Sequence, residues 1–350
     1  MKKLHLSKYL PWTSVIALTL VVALGAAGCV AITEATPAAP AASTAQPAEE
    51  AALSVLPKGP GGPPQGQPLA SADPNYRDLA YASASPAQML DLYIPEGDGP
   101  FPVLVGIHGG GFMFGDKSDG TGLAGADALL AAGYAIASIN YRLSGEAQYP
   151  AQIHDAKAAV RFLRANAEEY NLDPERVGAW GASAGGNLAA LLGTTCGEAD
   201  LEGAELGNAD QSSCVQAVVD WFGPIDFLAL DEQFAGTSCP QNHNDANSPE
   251  SKLVGAPIQT VPDLVATTNP MNYIDAADAP FLIQHGSADC NIPPVQGQKL
   301  ADALAPAIGE ENAIYTLIDG AEHGGPQFST DENMQVVVDF LNKHLAANAE

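Results

Sequence analysis

The sequence predicts an α/β fold: a mostly parallel central sheet with helices on both faces and a small irregular cap. Three observations carry this. Short apolar runs alternate with amphipathic segments of helical period from about Tyr76 to about Ala346, the pattern of a parallel sheet covered on both sides. The run Pro102-Val103-Leu104-Val105-Gly106-Ile107 is continuously apolar, as a strand buried on both faces must be. One stretch, about Asp226 to Tyr273, breaks the alternation with Asn, Asp, Ser and Pro, and is expected to form the rim or cap over a pocket.

Taken in order, Tyr76 to Tyr81 and Gln88 to Ile94 alternate apolar and polar residues and are expected to form an antiparallel edge pair. Pro95 to Pro100 is a turn, and the buried strand at 102–107 follows. Helical patterning covers about Gly122 to Ala132, a strand Tyr134 to Asn140, and an amphipathic helix about Ala151 to Ala167, which Asn171-Leu172-Asp173-Pro174 breaks. The next strand is Val177-Gly178-Ala179-Trp180. Further buried strands are expected at Cys214 to Trp221, Phe281 to His285 and Ala313 to Ile318, with helices near Val295 to Ala305 and Glu332 to Ala346.

With 350 residues, 46% of them hydrophobic, the chain suits one large domain, here 73–348, once its amino terminus is set aside. Its 41 acidic against 14 basic residues give a formal charge of −27, which repels nucleic-acid phosphates and anionic bilayers. Lys2, Lys3 and Lys8 precede an apolar run from Trp12 to Ala27 that is short for a membrane span, so residues 1–28 are expected to be an export signal. The run ends in Ala26-Ala27-Gly28-Cys29, similar to a bacterial lipobox with Ala26 where Leu is usual. That similarity implies a lipid on Cys29 and a place in the cell envelope, with ordinary secretory cleavage or an uncleaved anchor as alternatives. Residues 29–72, rich in Ala, Pro and Gly, lack the apolar content to offset chain entropy and are expected to be a disordered tether. Beyond Cys29, an even number of cysteines in an exported chain suggests two disulfides among three connectivities, Cys196 with Cys214 and Cys239 with Cys290 being preferred.

The chemistry centres on Gly181-Ala182-Ser183-Ala184-Gly185-Gly186, which lies between a strand and a helix-like run from Asn187 to Leu192. In that setting a G-x-S-x-G is a nucleophile elbow, whose flanking positions must be small for strand and helix to approach. A serine hydroxyl needs a base, and the base needs an orienting carboxylate. Of seven histidines, His5 lies in the signal, His344 in the last helix, His154 on an amphipathic helix and His243 in the polar rim. His108 and His285 end strands, which leaves His323 in the loop Gly320 to Gly325. Asp289 follows a buried strand and precedes the base, giving the order Ser, Asp, His; Asp226, after the preceding strand, is the alternative. For the oxyanion, the amide of Ala184 and those of Gly110 and Gly111, in His108-Gly109-Gly110-Gly111-Phe112, are the expected donors. No metal-ligand cluster is evident; His243-Asn244-Asp245 is read as a solvated polar loop.

These motifs in this order resemble an α/β-hydrolase of the hormone-sensitive-lipase-like esterase group, and more closely the bacterial feruloyl and acetyl-xylan esterase-like (BD-FAE-like) family. Asn140-Tyr141-Arg142, His154 to Leu163, Trp221-Phe222-Gly223-Pro224, and His285-Gly286 followed by Asp289 and Pro293 belong to the same likeness, which runs from about Leu90 to Leu345. The resemblance implies a carboxylester hydrolase with Ser183, Asp289 and His323 as its triad, no cofactor, and acetyl or feruloyl esters on polysaccharide as substrates. A prolyl-oligopeptidase-type peptidase, which shares the elbow, and a surface-anchored binding protein that kept the fold are the competing readings.

Overall fold

The computed structural model describes residues 69–118, 120 and 123–345. The signal segment, Cys29 and the tether up to residue 68 lie outside the described residues. Residues 69–72, ahead of the expected boundary at 73, include packed side chains. Leu69 and Ala70 are buried against Tyr93, Leu104 and Leu123, and the Ser71 amide and hydroxyl both donate to Asp127.

Eight strands form one sheet: β1 (Tyr76–Ala80), β2 (Met89–Tyr93), β3 (Phe101–Ile107), β4 (Ala135–Ile139), β5 (Leu172–Ala182), β6 (Ala217–Trp221), β7 (Phe281–Gly286) and β8 (Ala313–Ile318). Their spatial order is β1-β2-β4-β3-β5-β6-β7-β8, antiparallel at β1/β2 and β2/β4 and parallel elsewhere. Helices α1 (Ala126–Ala131), α2 (Ala151–Ala165), α3 (Ala167–Tyr170), α4 (Ala184–Thr194), α5 (Leu230–Gln233), α6 (Pro249–Val254), α7 (Pro262–Ala266), α8 (Val295–Ile308) and α9 (Asp331–Leu345) complete the regular elements. None of the described helices is long and apolar enough to cross a membrane.

The continuous apolar runs feed two cores because strand side chains alternate between faces. Val103, Val105, Ala179, Val218 and Ile283 join Ile153, Val160, Leu188 and Leu300, from α2, α4 and α8, on one side. Leu104, Ile136, Trp180, Val219 and Leu282 join Leu129, Met334, Val337 and Leu341, from α1 and α9, on the other. Trp180 and Trp221 meet edge to face across adjacent strands at 5.3 Å, a favourable aromatic geometry.

Three expectations need correction. β5 starts at Leu172, not at Val177: Leu172 already pairs with Phe101, and a register irregularity absorbs Asp173-Pro174 before Val177 pairs with Val103. A proline without an N–H is accommodated at such a bulge. β6 starts at Ala217 rather than Cys214, because Cys214 is tied back to Cys196. The stretch 226–273 holds α5, α6, α7 and several 3-10 turns; Ser248 caps α6 by accepting from the Ser251 amide, with Pro249 at the helix start. Both preferred disulfides are present, Cys196 with Cys214 and Cys239 with Cys290.

Candidate active site

Strand register brings the loops to one end of the sheet. Ile107 pairs with Gly181, Ala182 with Trp221, Trp221 with Gln284, and Gly286 with Ile318. The segments after β3, β5, β6, β7 and β8 therefore leave side by side at the carboxyl edge, where open parallel sheets assemble their sites.

At the elbow, Ser183 has φ 56° and ψ −121° and its amide donates to the Trp221 carbonyl at 2.8 Å, which pins the turn to β6. A non-glycine residue held in such a conformation costs about 1–3 kcal/mol. A Cβ at Gly181 would overlap the carbonyl of Gly185, and one at Gly185 would overlap that of Ile107 in β3. The glycines are thus required by backbone that no rotamer change can relieve. In the loop after β3, Gly110 and Gly111 have φ 107° and 60°, and the Gly110 carbonyl accepts from Met113 and Phe114, each at 3.1 Å. Among the backbone bonds of the described residues, the amides of Gly110, Gly111 and Ala184 donate to none. The Tyr141 hydroxyl fixes the root of this loop by donating to the His108 carbonyl at 3.1 Å.

His323 lies in the loop after β8. Gly286 lets that loop cross the end of β7, since a Cβ there would overlap the carbonyls of Ala321 and Glu322. His323 Nε2 stands 2.8 Å from Ser183 Oγ, and its Nδ1 stands 2.7 Å from Asp289 Oδ2. Phe222 packs edge-on against the imidazole at 4.7 Å. Asp289 is buried, and its Oδ1 accepts from the amides of Asn291 at 2.7 Å and Ile292 at 2.9 Å. Burial opposes its charge, but the electrostatic attraction of His323 and hydrogen bonds from His285 and His323 together outweigh burial and hold the carboxyl well below the usual range. An ionised Asp289 accepts the Nδ1 proton, which leaves the Nε2 lone pair facing the serine hydroxyl. The arrangement can move a proton from Oγ to the ring while Asp289 Oδ2 steadies the base. Asp226 sits elsewhere: its amide donates to Gln296 Oε1 at 2.6 Å and its carbonyl accepts from Gln296 Nε2.

Three features were not read from the sequence. The ring of His285 touches the far side of Asp289, with Nε2 at 3.2 Å from Oδ2. The cap grips the acid loop through His243, which is buried rather than solvated: Nε2 donates to the Asn291 carbonyl at 2.9 Å and Nδ1 faces Glu250 at 2.9 Å. Burial of this ring disfavours its charge, yet Glu250, the Asn291 carbonyl and Asp231 prevail and raise its pKa. The cap also rests on the loop after β3, with Pro249 of α6 closest to Gly111. Finally, Asp220 of β6 is buried beneath Gly186 and Gly223 and pushed up to about 6 by burial, which the Gly223 amide only partly offsets. A histidine four residues before the acid was the one available signal for the first; nothing local marked the others. Among the described residues there is no group of three His, Cys, Asp or Glu side chains able to hold a metal ion.

The BD-FAE family profile matches residues 90–304. Esterase LipC of Mycobacterium tuberculosis is 31% identical over 241 residues, 68% of this chain and 57% of that protein. This chain spans little more than half the length of such curated relatives. Among solved structures, a truncated form of a carbohydrate esterase from gut microbiota superposes with a TM-score of 0.71 at 33% identity, covering 79% of this chain and 99% of that one. A bifunctional GH43-CE protein of Bacteroides eggerthii gives 0.69 at 36% identity, covering 77% and 35%.

Proposed function

The chain belongs to the BD-FAE family, and on that premise we propose that it is a serine carboxylesterase with Ser183 as nucleophile, His323 as general base and acid, and Asp289 as the orienting carboxylate. The observation that carries the reading is the unbroken contact from Ser183 Oγ to His323 Nε2 at 2.8 Å and from His323 Nδ1 to Asp289 at 2.7 Å. Ser183 Oγ attacks the acyl carbon as His323 takes its proton. The tetrahedral oxyanion is stabilised by the amides of Ala184, Gly110 and Gly111, each such donor contributing about 3–4 kcal/mol in a water-poor site. His323 then protonates the departing alcohol, and water repeats the sequence to free the acid and restore Ser183.

The substrate class is a small-acyl ester, with acetyl or feruloyl groups on polysaccharide favoured by the likeness to the gut carbohydrate esterase at 33% identity. Two disulfides fit an oxidising compartment and hence export. Residues 1–28 then act as the signal, Cys29 carries the lipid anchor, and the segment after it is the tether. Cys29→Ser should release the chain from the envelope fraction; retention there removes the anchor from this account.

A fluorophosphonate should label Ser183 of the full chain, and p-nitrophenyl acetate should turn over. Ser183→Ala should abolish labelling and lower kcat by about 10⁶-fold. Turnover of a chromogenic dipeptide with p-nitrophenyl acetate left intact would overturn the assignment in favour of a peptidase.

A further inference from the structure

Asp289 is touched by two histidines, and only one of them faces the serine. The other, His285, is the penultimate residue of β7, with its ring fully buried. Its Nε2 lies 2.9 Å from the Ile292 carbonyl and 3.2 Å from Asp289 Oδ2, the same oxygen that meets His323 Nδ1. A carbonyl only accepts, so Nε2 carries the hydrogen, aimed at Ile292 with Asp289 as its longer arm. Nδ1 is buried without a partner and faces α8, where a Cβ on Gly297 would stand 3.4 Å away. A bare lone pair is tolerated there at lower cost than an orphaned N–H, so the ring is the neutral Nε2–H tautomer. Asp220 of β6 is the other ionisable group acting on it.

This completes the coordination of the acid. A carboxylate offers about four acceptor sites. Oδ1 takes the amides of Asn291 and Ile292, and Oδ2 meets His323 on one side at 2.7 Å and, on the other at 3.2 Å, the His285 N–H that it shares with the Ile292 carbonyl. The Ile292 residue closes the circuit, since its amide donates to Asp289 while its carbonyl holds His285.

We propose that His285 is a positioning residue: its neutral imidazole holds the Asp289 carboxylate from behind in the rotation that aims Oδ2 at His323. It acts through Asp289 and touches neither Ser183 nor substrate. The inference rests on the esterase reading above, and labelling of the parent chain by fluorophosphonate is the prior control: failure there sinks that reading, whereas the variants below address His285 alone.

The test compares His285→Leu with His285→Gln in the full chain by the pH dependence of p-nitrophenyl acetate hydrolysis. Gln can set an amide N–H where Nε2 stands; Leu cannot. His285→Leu should lose about tenfold in kcat with KM unchanged, because the carboxylate is free to turn. The acid limb of its kcat/KM profile should move up by about half a pH unit, since a carboxylate relieved of one donor interacts more strongly with the imidazolium. His285→Gln should recover most of the rate and the parental limb. An unmoved limb in His285→Leu, or His285→Gln no better than His285→Leu, overturns the proposal. If His285→Leu does not accumulate as folded protein, His285→Asn replaces it: Asn is too short to reach the Nε2 position, so equal kcat and equal limbs for Asn and Gln overturn it as well.

Discussion

The two sides of the site are built from different materials. On the nucleophile side, the turn that carries Ser183 is held by backbone: a strained φ, an amide bond to Trp221, and glycines whose places no side chain can take. On the acid side, two backbone amides reach Asp289 Oδ1, but the rest of the hold comes from side chains and a covalent tie: His285, His323, the His243 contact to Asn291, and the disulfide from Cys239 to the adjacent Cys290. Backbone packing is set by the sheet and fails all at once. Side-chain scaffolding can be weakened a piece at a time, and it responds to redox state and pH.

The sharpest way to break the contrast is Gly185→Ala. A methyl group there meets the Ile107 carbonyl in a central strand, so the expected result is a loss above about 4 kcal/mol, seen as insoluble protein or a collapsed Tm. A soluble variant with parental Tm would show that the elbow yields more readily than its geometry implies.

Next in size are the disulfides. Removing the Cys239–Cys290 tie, which closes a 51-residue separation, should cost about 4 kcal/mol, and removing Cys196–Cys214, which closes 18, about 3 kcal/mol. Activity separates them more clearly than stability. Cys239→Ser with Cys290→Ser should lower kcat about tenfold in protein still folded, because the acid loop loses its tether. Cys196→Ser with Cys214→Ser should leave kcat within about twofold. Equal kcat for the two pairs would show that the acid loop does not depend on its covalent tie.

The smallest effect concerns two buried carboxyls of opposite sign. Asp289, held below the ordinary range, adds stability that is present above about pH 4 and lost as pH falls toward its folded value. Asp220, pushed up to about 6, keeps its proton in the folded chain where the unfolded chain has released it. Its contribution therefore declines as pH rises from about 4 to about 6 and is flat beyond. Asp220→Asn should remove that decline and gain about 2–3 kcal/mol at pH 8 relative to pH 4, measured by denaturant titration at both values. An unchanged difference between the two pH values would mean that this carboxyl is not held protonated.

Legibility in the sequence followed the same division. The elbow could be read because backbone crowding writes itself as composition: only Gly and Ala stand at 181, 182 and 184–186. His108 to Phe112 was legible for a related reason, since two positive-φ positions call for glycine. The acid side was read only in part. Asp289 and His323 were found from chain order and from the loops that carry them, but His285 was set aside as a strand-end residue. Its sequence position shows that it lies near the end of β7, not which way its ring turns. The cap was foreseen as an interruption of the pattern; its short helices and its hold on Asn291 were not, because His243 and Asn291 are far apart in sequence and neither stands in a periodic segment.

By itself, the sequence determined the alternating strands and helices, the two faces each strand feeds, and the positions where backbone must pass close to backbone. Those follow from periodicity and size, which are local properties. Tertiary structure alone decided that His285 shares the carboxylate of Asp289 and where β5 begins, because such contacts depend on strand register and on rotamers fixed by neighbours from distant segments. A hydrogen bond specifies a direction in space, and no spacing along the chain encodes that direction.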